Sequence, residues 1–233
     1  MPQSSGLKIK NRRITSSILE VFFELLYSQF AWGYDLVSQV VSLGLWKSWI
    51  FSTLPFLHGN KILEIGHGPG HLQIAISKLN SDVYGLDSSI YMGRLAKKNL
   101  IKSGFSRKLV QANSQFIPFL DESFDQIVST FPSDFIYNDF TLQELFRVLR
   151  QEGELIVLPV AWITEVKCYY RLADWLFKVA GQSPMIDDTW LIPFEKNGFT
   201  AEILVVRSVS SELALIIAKK AAIKSSVPYK IQD

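Results

Sequence analysis

One cysteine, three histidines and three methionines in 233 residues leave little material for thiol or metal chemistry. Cys168 has no second cysteine with which to form an internal disulfide or a CxxC zinc pair, which fits a reducing compartment and a small buried hydrophobe. Charge is scarce as well. Charged residues make up 20% of the chain, and the net charge of +2 is too small to attract nucleic acid by itself. No long uncharged apolar run occurs between Ile14 and Leu57, because Glu20, Glu24, Asp35 and Lys47 interrupt that stretch below the roughly 18 residues of a membrane span. The opening MPQSSGLKIKNRR does not read as a secretory leader, so a cytoplasmic location is expected. An amphipathic N-terminal segment leaves peripheral membrane contact open. An apolar fraction of 48% excludes a disordered chain and supports a substantial core.

Two regimes follow one another. Residues 14–57 read as two or three helices, broken at Gly33 and Gly44 and closed at Pro55. From Lys61 onward, short β-rich runs alternate with helical ones. Strands are expected over 61–66, 82–87, 107–113, 124–130, 153–160, 201–208 and 212–220. Helical runs lie between them, among them TLQELFRVLRQEG, with Gly153 as its stop. Strands separated by helices imply right-handed crossovers and a parallel sheet covered on both faces. Only a few residues separate the last two strands, too few for a crossover helix, so they must pair as an antiparallel hairpin. The fold expected is therefore α/β: a three-layer, doubly wound, seven-stranded, mostly parallel sheet. It carries a C-terminal antiparallel hairpin and an N-terminal helical extension. The division is an extension over 1–57, a main domain over 58–220 with a helical insertion at about 161–198, and a flexible tail over 221–233.

Between the first strand and its helix stands EIGHGPGH, Glu64 to His71. Gly66 and Gly68 let the turn bend sharply and bring a ligand against bare backbone, where the helix N-terminus offers free N–H groups. Asp87, at the end of the second strand, is placed to accept hydrogen bonds from both hydroxyls of a ribose. Together they point to a nucleoside-containing cofactor. The GxGxG spacing departs from the dinucleotide GxGxxG, and no GK[ST] follows for a P-loop. Glu64 suits a cofactor with a cationic end better than a pyrophosphate, which it repels.

These residues resemble the first signature of class I S-adenosylmethionine-dependent methyltransferases. GLDSSIYMGRLAKKN is similar to that family's second-strand segment, and FIPFLDESFDQIVSTF followed by LQELFRVLRQEGELIVL matches its third and fourth stretches in order. The resemblance implies S-adenosylmethionine as cofactor, with the backbone of Gly66, His67 and Gly68 against its methionine part. Glu64 lies near its ammonium group, Asp87 on the ribose, and Ser88 and Met92 beside the adenosine. Asn113 stands where the family has an aspartate for the adenine amine, and its amide oxygen can accept the same bond with the N–H of Ser114 helping. Phe131, past the fourth strand, is expected at the cofactor's edge, where an aromatic face favours a sulfonium cation.

For the acceptor the sequence offers less. His67 and His71 lie in and after the loop and His58 before the first strand, and none stands out as a general base. STFPSD lacks the Asp/Asn-Pro-Pro-aromatic pattern of enzymes that methylate planar nitrogen. YDLVSQVVSLGLWKSWI resembles the lead-in of quinone-ring C-methyltransferases, and the apolar insertion WITEVKCYYRLADWLFKVAG reads as a helical lid. Both favour a small, apolar or lipid-like acceptor over protein or nucleic acid, with residues 1–57 as its cap. The rival readings are an NAD(P)-dependent oxidoreductase and a non-catalytic relative that keeps the fold and binds a ligand.

Overall fold

The computed structural model describes residues 42, 44–79, 81–106, 108–164, 187–208 and 210–221. The helices expected before residue 42, most of the apolar insertion with Cys168, and the tail lie outside the described residues.

Seven strands form one sheet in the order β3-β2-β1-β4-β5-β7-β6. They are β1 Lys61–Ile65, β2 Asp82–Asp87, β3 Leu109–Gln111, β4 Phe124–Thr130, β5 Leu149–Ile163, β6 Phe199–Arg207 and β7 Ser211–Lys220. Strands β1 to β5 pair in parallel, and β7 is antiparallel to both β5 and β6. The parallel sheet with its terminal hairpin is the architecture the sequence implied. The helices are α1 Trp46–Phe51, α2 His71–Ser77, α3 Ile90–Lys102, α4 Asp139–Val148 and α5 Ile192–Lys196.

Successive side chains of a strand point to opposite faces, so a strand covered on both sides sends apolar residues into two core layers. Strand β1 shows this directly. Ile62 joins a core layer with Leu72 and Ile76 of α2 and Trp49 and Ile50 of α1. Leu63 and Ile65 join the opposite layer with Leu142, Leu145 and Val148 of α4 and Phe194 of α5. Leu155 to Leu158 of β5 are fully buried and divide between the same two layers. Each such side chain contributes roughly 1.5–3 kcal/mol of hydrophobic stabilisation.

Three boundaries differ from expectation. Helix α4 ends at Val148 rather than running to Gly153, because Leu149 already pairs with Phe124 of β4. Gly153 serves a close approach instead of a helix stop: a Cβ there would lie 2.9 Å from the carbonyl oxygens of both Arg150 and Asp125. Strand β3 shrinks to three residues. Strand β5 lengthens to fifteen, with a register shift between Val157 and Val160 where Pro159 has no N–H to give. The extra length takes residues 161–163 out of the insertion, while its far end holds a 3-10 turn at Asp188–Trp190 and the short α5.

Candidate active site

Parallel α/β sheets bind ligands at the carboxyl ends of their strands, where the crossovers diverge. At that edge β1 ends in Ile65 and the chain turns through Gly66, Gly68 and Gly70, all with positive φ, into α2. A Cβ at Gly68 would meet nothing within 4 Å, so this part of the loop opens onto free space. A Cβ at Gly66 would come within 3.7 Å of the Phe135 ring, which overhangs the loop from a 3-10 turn at Asp134–Tyr137 after β4.

Asp87 closes the opposite side. Its Oδ2 accepts from the Gly68 N–H at 2.9 Å and its Oδ1 from the Ser89 N–H at 2.8 Å. A carboxylate offers about four lone-pair positions, so each oxygen keeps capacity for one further donor. Two adjacent hydroxyls of a ribose match that capacity.

Glu64 and Asp87 lie on the face of the sheet covered by α2, since side chains alternate from Ile62 and Val83 of that layer. Glu64 is 2% exposed, and its Oε2 accepts from Gln73 Nε2 at 2.8 Å. Burial pushes its carboxyl up to about 8; the Gln73 bond works against the rise and the charge of Asp87 adds to it. His67, in the loop, is buried as well, with Nδ1 2.8 Å from the Gly68 carbonyl oxygen. A carbonyl only accepts, so Nδ1 is assigned the ring proton. Burial holds the imidazole below its usual range, against the opposing influence of Asp87.

The ring of His67 is turned inward. A Cβ at Gly85 of β2 would lie 2.8 Å from His67 Cδ2, 2.8 Å from Leu109 Cδ2 and 3.2 Å from Gln73 Cδ. Gly85 thus makes the room that the polar side chains of the loop and α2 occupy. That packing also takes His67 away from any role as a base at the open side of the loop. His58 sits at the other end of the sheet, where Gln126 bonds its backbone N–H.

The remaining residues singled out from sequence take varied positions. Ser88 and Asn113 are exposed near the tips of β2 and β3, and the Asn113 Oδ1 accepts from the Gln115 N–H at 2.9 Å. Ser114 is buried and its Oγ is 3.1 Å from Thr141 Oγ1 of α4, which leaves only its backbone to face a ligand. Met92 is fully buried on α3, its N–H capped by Ser89. Phe131 adopts φ +48 just past β4 and stacks on Trp46 of α1, with ring centroids 4.3 Å apart and planes 25° apart; Trp49 tilts against it at 6.2 Å.

Sequence reasoning missed Gln73, Gly85, Phe135 and the Trp46 partner of Phe131. No local motif marks any of them, because each acts through a neighbour distant in the chain. Among the described residues, no cluster of three or more His, Cys, Asp or Glu is placed to hold a metal, and no helix is long and apolar enough to cross a membrane.

Both the chain and its fold have known counterparts. The chain is 32% identical over 142 residues to the ubiquinone/menaquinone biosynthesis C-methyltransferase UbiE of Blochmanniella floridana, a match covering 57% of this chain and 56% of that protein. The chain spans 56% to 62% of the length of the first curated relatives it matches. Among solved structures, an S-adenosylmethionine-dependent methyltransferase fold from Methanococcus maripaludis superposes with a TM-score of 0.59 at 19% identity, covering 84% of this chain and 94% of that one. One from Thermotoga maritima gives 0.58 at 17% identity, covering 84% and 98%. At such identities these two establish the fold alone. The sequence model of the ubiE/COQ5 methyltransferase family matches residues 14–185, well over half of the chain, and the protein belongs to that family.

Proposed function

We propose that this protein transfers a methyl group from S-adenosylmethionine to a ring carbon of a small, apolar, quinone-type acceptor. The observation that carries the reading is the pairing of the Gly68 amide with Asp87 beside an open, left-handed loop. It unites bare backbone, a carboxylate with spare acceptor capacity and the buried Glu64 in one crevice. Family membership and the C-methyltransferase activity named for the relatives supply the reaction class.

Bound there, the sulfonium cofactor supplies an electrophilic methyl group for in-line displacement. The chain's own work is alignment and exclusion of water. Asp87 grips the ribose hydroxyls. The backbone at Gly66, His67 and Gly68 faces the methionine part, and Glu64 underlies its ammonium group. Ser88, Asn113 and the Ser114 N–H border the adenosine, with the buried Met92 packed behind them. The Phe131–Trp46 stack and Phe135 form an aromatic rim at the tips of β1 and β4, suited both to a sulfonium and to a flat acceptor ring. Residues 1–57 and the apolar insertion serve as the cap over that acceptor. The single cysteine, which fits a reducing compartment, supports a cytoplasmic location.

The test is incubation of the full chain with labelled S-adenosylmethionine and a quinol lacking one ring methyl. A product heavier by one methylene, labelled on carbon, supports the reading. Label on oxygen overturns the carbon assignment, and no transfer to any quinol overturns the acceptor class.

A further inference from the structure

Glu64 occupies an unusual place for an acid. In register it lies between Gly85 of β2, which has no side chain, and Val128 of β4, which is apolar. It is almost completely buried, and no Lys, Arg or His of the described residues comes within ion-pair distance of it. The groups that face it are Gln73 from α2, the negative Asp87 from β2 and, from the loop, the inward ring of His67, whose place beside Gly85 and Gln73 is fixed by packing. A carboxylate without a cation in such surroundings is costly, and the neutral acid is the stable form.

Gln73 is held as firmly as the acid. It is 1% exposed, and its amide nitrogen donates both to Glu64 Oε2 at 2.8 Å and to the Tyr84 carbonyl oxygen at 3.1 Å. The Tyr84 oxygen can only accept, which fixes the amide with its N–H groups toward both partners. A donor held in this way strengthens when its acceptor becomes charged.

We propose that Gln73 is a positioning residue that keeps Glu64 oriented beneath the Gly66–Gly68 loop as a neutral acid in the free protein and as an anion in the complex, so that binding the ammonium end of the cofactor releases one proton. The inference rests on the cofactor reading above. In balance, the Glu64 carboxylic acid and the ligand's ammonium become a carboxylate–ammonium pair, and the displaced carboxyl proton goes to solvent. Cofactor affinity is thereby coupled to pH by a side chain that never touches the reacting methyl.

Titration calorimetry of the full chain with S-adenosylhomocysteine, which keeps the same amino-acid end, tests this at pH 6.5 in two buffers of different ionisation enthalpy. The natural protein is expected to release close to one proton per ligand, and the isosteric Glu64→Gln variant close to none. Gln73→Leu is expected to weaken binding about tenfold at pH 6.5, since a bond to a charged group is lost, and to move the pH dependence of affinity to higher pH. In the Glu64→Gln background, the same Gln73→Leu change should alter affinity by less than about twofold. Binding without proton release, or an undiminished Gln73→Leu effect in that background, overturns the inference while leaving the cofactor site intact. Absence of binding by the natural protein at every pH overturns the cofactor reading itself, and this inference with it. If Gln73→Leu does not fold, the proton count of the natural protein against Glu64→Gln decides the matter alone.

Discussion

The Asp87 carboxylate receives the Gly68 amide at 2.9 Å, so the tip of the second strand holds the glycine loop that follows the first. One acid therefore does two things: it shapes the loop and keeps acceptor capacity for a ligand. Removing it should cost both. Asp87→Ala is expected to weaken S-adenosylhomocysteine binding by at least about thirtyfold, since hydrogen bonds to a charged group contribute roughly 1.5–3 kcal/mol each. Asp87→Asn, which keeps an acceptor oxygen, should lose less. Equilibrium binding of the two variants measures the difference.

Gly85 and Gly93 should respond to alanine with opposite signs. At Gly85 the new methyl would fall 2.8 Å from His67 and Leu109, both packed in place. Overpacking of this kind costs about 1–3 kcal/mol, or about 3–10 °C in melting temperature at this chain length, and cofactor affinity should fall with it. At Gly93, inside α3, a Cβ meets nothing within 4 Å. Alanine there is expected to stabilise by about 0.5–1 kcal/mol through helix propensity. Thermal melts of both variants check the pair.

The pH dependence of stability has a definite sign. Glu64 titrates at about 8 in the fold against 4.5 as its ordinary value. Between those values the folded state holds a proton that the unfolded state has lost, so stability falls as pH rises through the window. His67 is shifted down by burial; its contribution is present above its ordinary value of 6.5 and is lost on acidification below it. Above pH 6.5, of these two groups, Glu64 alone makes stability depend on pH. Glu64→Gln should melt about 3–6 °C above the natural protein at pH 8.5, on the order of 1–2 kcal/mol, with the gap narrowing as pH falls and closing only toward 4.5.

On the proposed reading, the aromatic rim lies between acceptor and cofactor. Trp46 stacks on Phe131, and both pack against the core layer that holds Trp49 and Ile50 of α1. Trp46→Ala is expected to lower kcat/KM for a quinol acceptor about tenfold while leaving S-adenosylhomocysteine affinity within about twofold, the loss being the stacked pair's roughly 0.5–1.5 kcal/mol together with disorder of the Phe131 ring. Steady-state kinetics beside calorimetry resolves the two effects.

Much of this architecture was legible in the sequence because its signals are local. Apolar runs such as LIVL, alternating with amphipathic segments, marked buried parallel strands, and the short link before ELALII required a hairpin. The glycine loop and Asp87 were legible because a strand, a bend and an acid recur in one order along the chain. What stayed hidden depends on contacts across the sheet. Gly153 looked like a helix stop, yet its glycine is demanded by the Asp125 carbonyl on a neighbouring strand. Gln73 looked like one polar residue in a short helix, and its importance appears only when Gly85 leaves room for it to reach Glu64. Phe131 was expected at a cofactor's edge, but nothing local showed that its ring is one leaf of a stack whose other leaf lies 85 residues earlier, at position 46.

A crystal structure of the full chain grown with S-adenosylhomocysteine puts the central claim to its most direct test. The ribose hydroxyls should lie about 2.6–3.0 Å from the Asp87 oxygens, with the amino-acid end against Gly66 and Gly68 above Glu64. A nucleoside bound elsewhere, or Asp87 bonded only to the Gly68 and Ser89 amides with the ligand present, would contradict it.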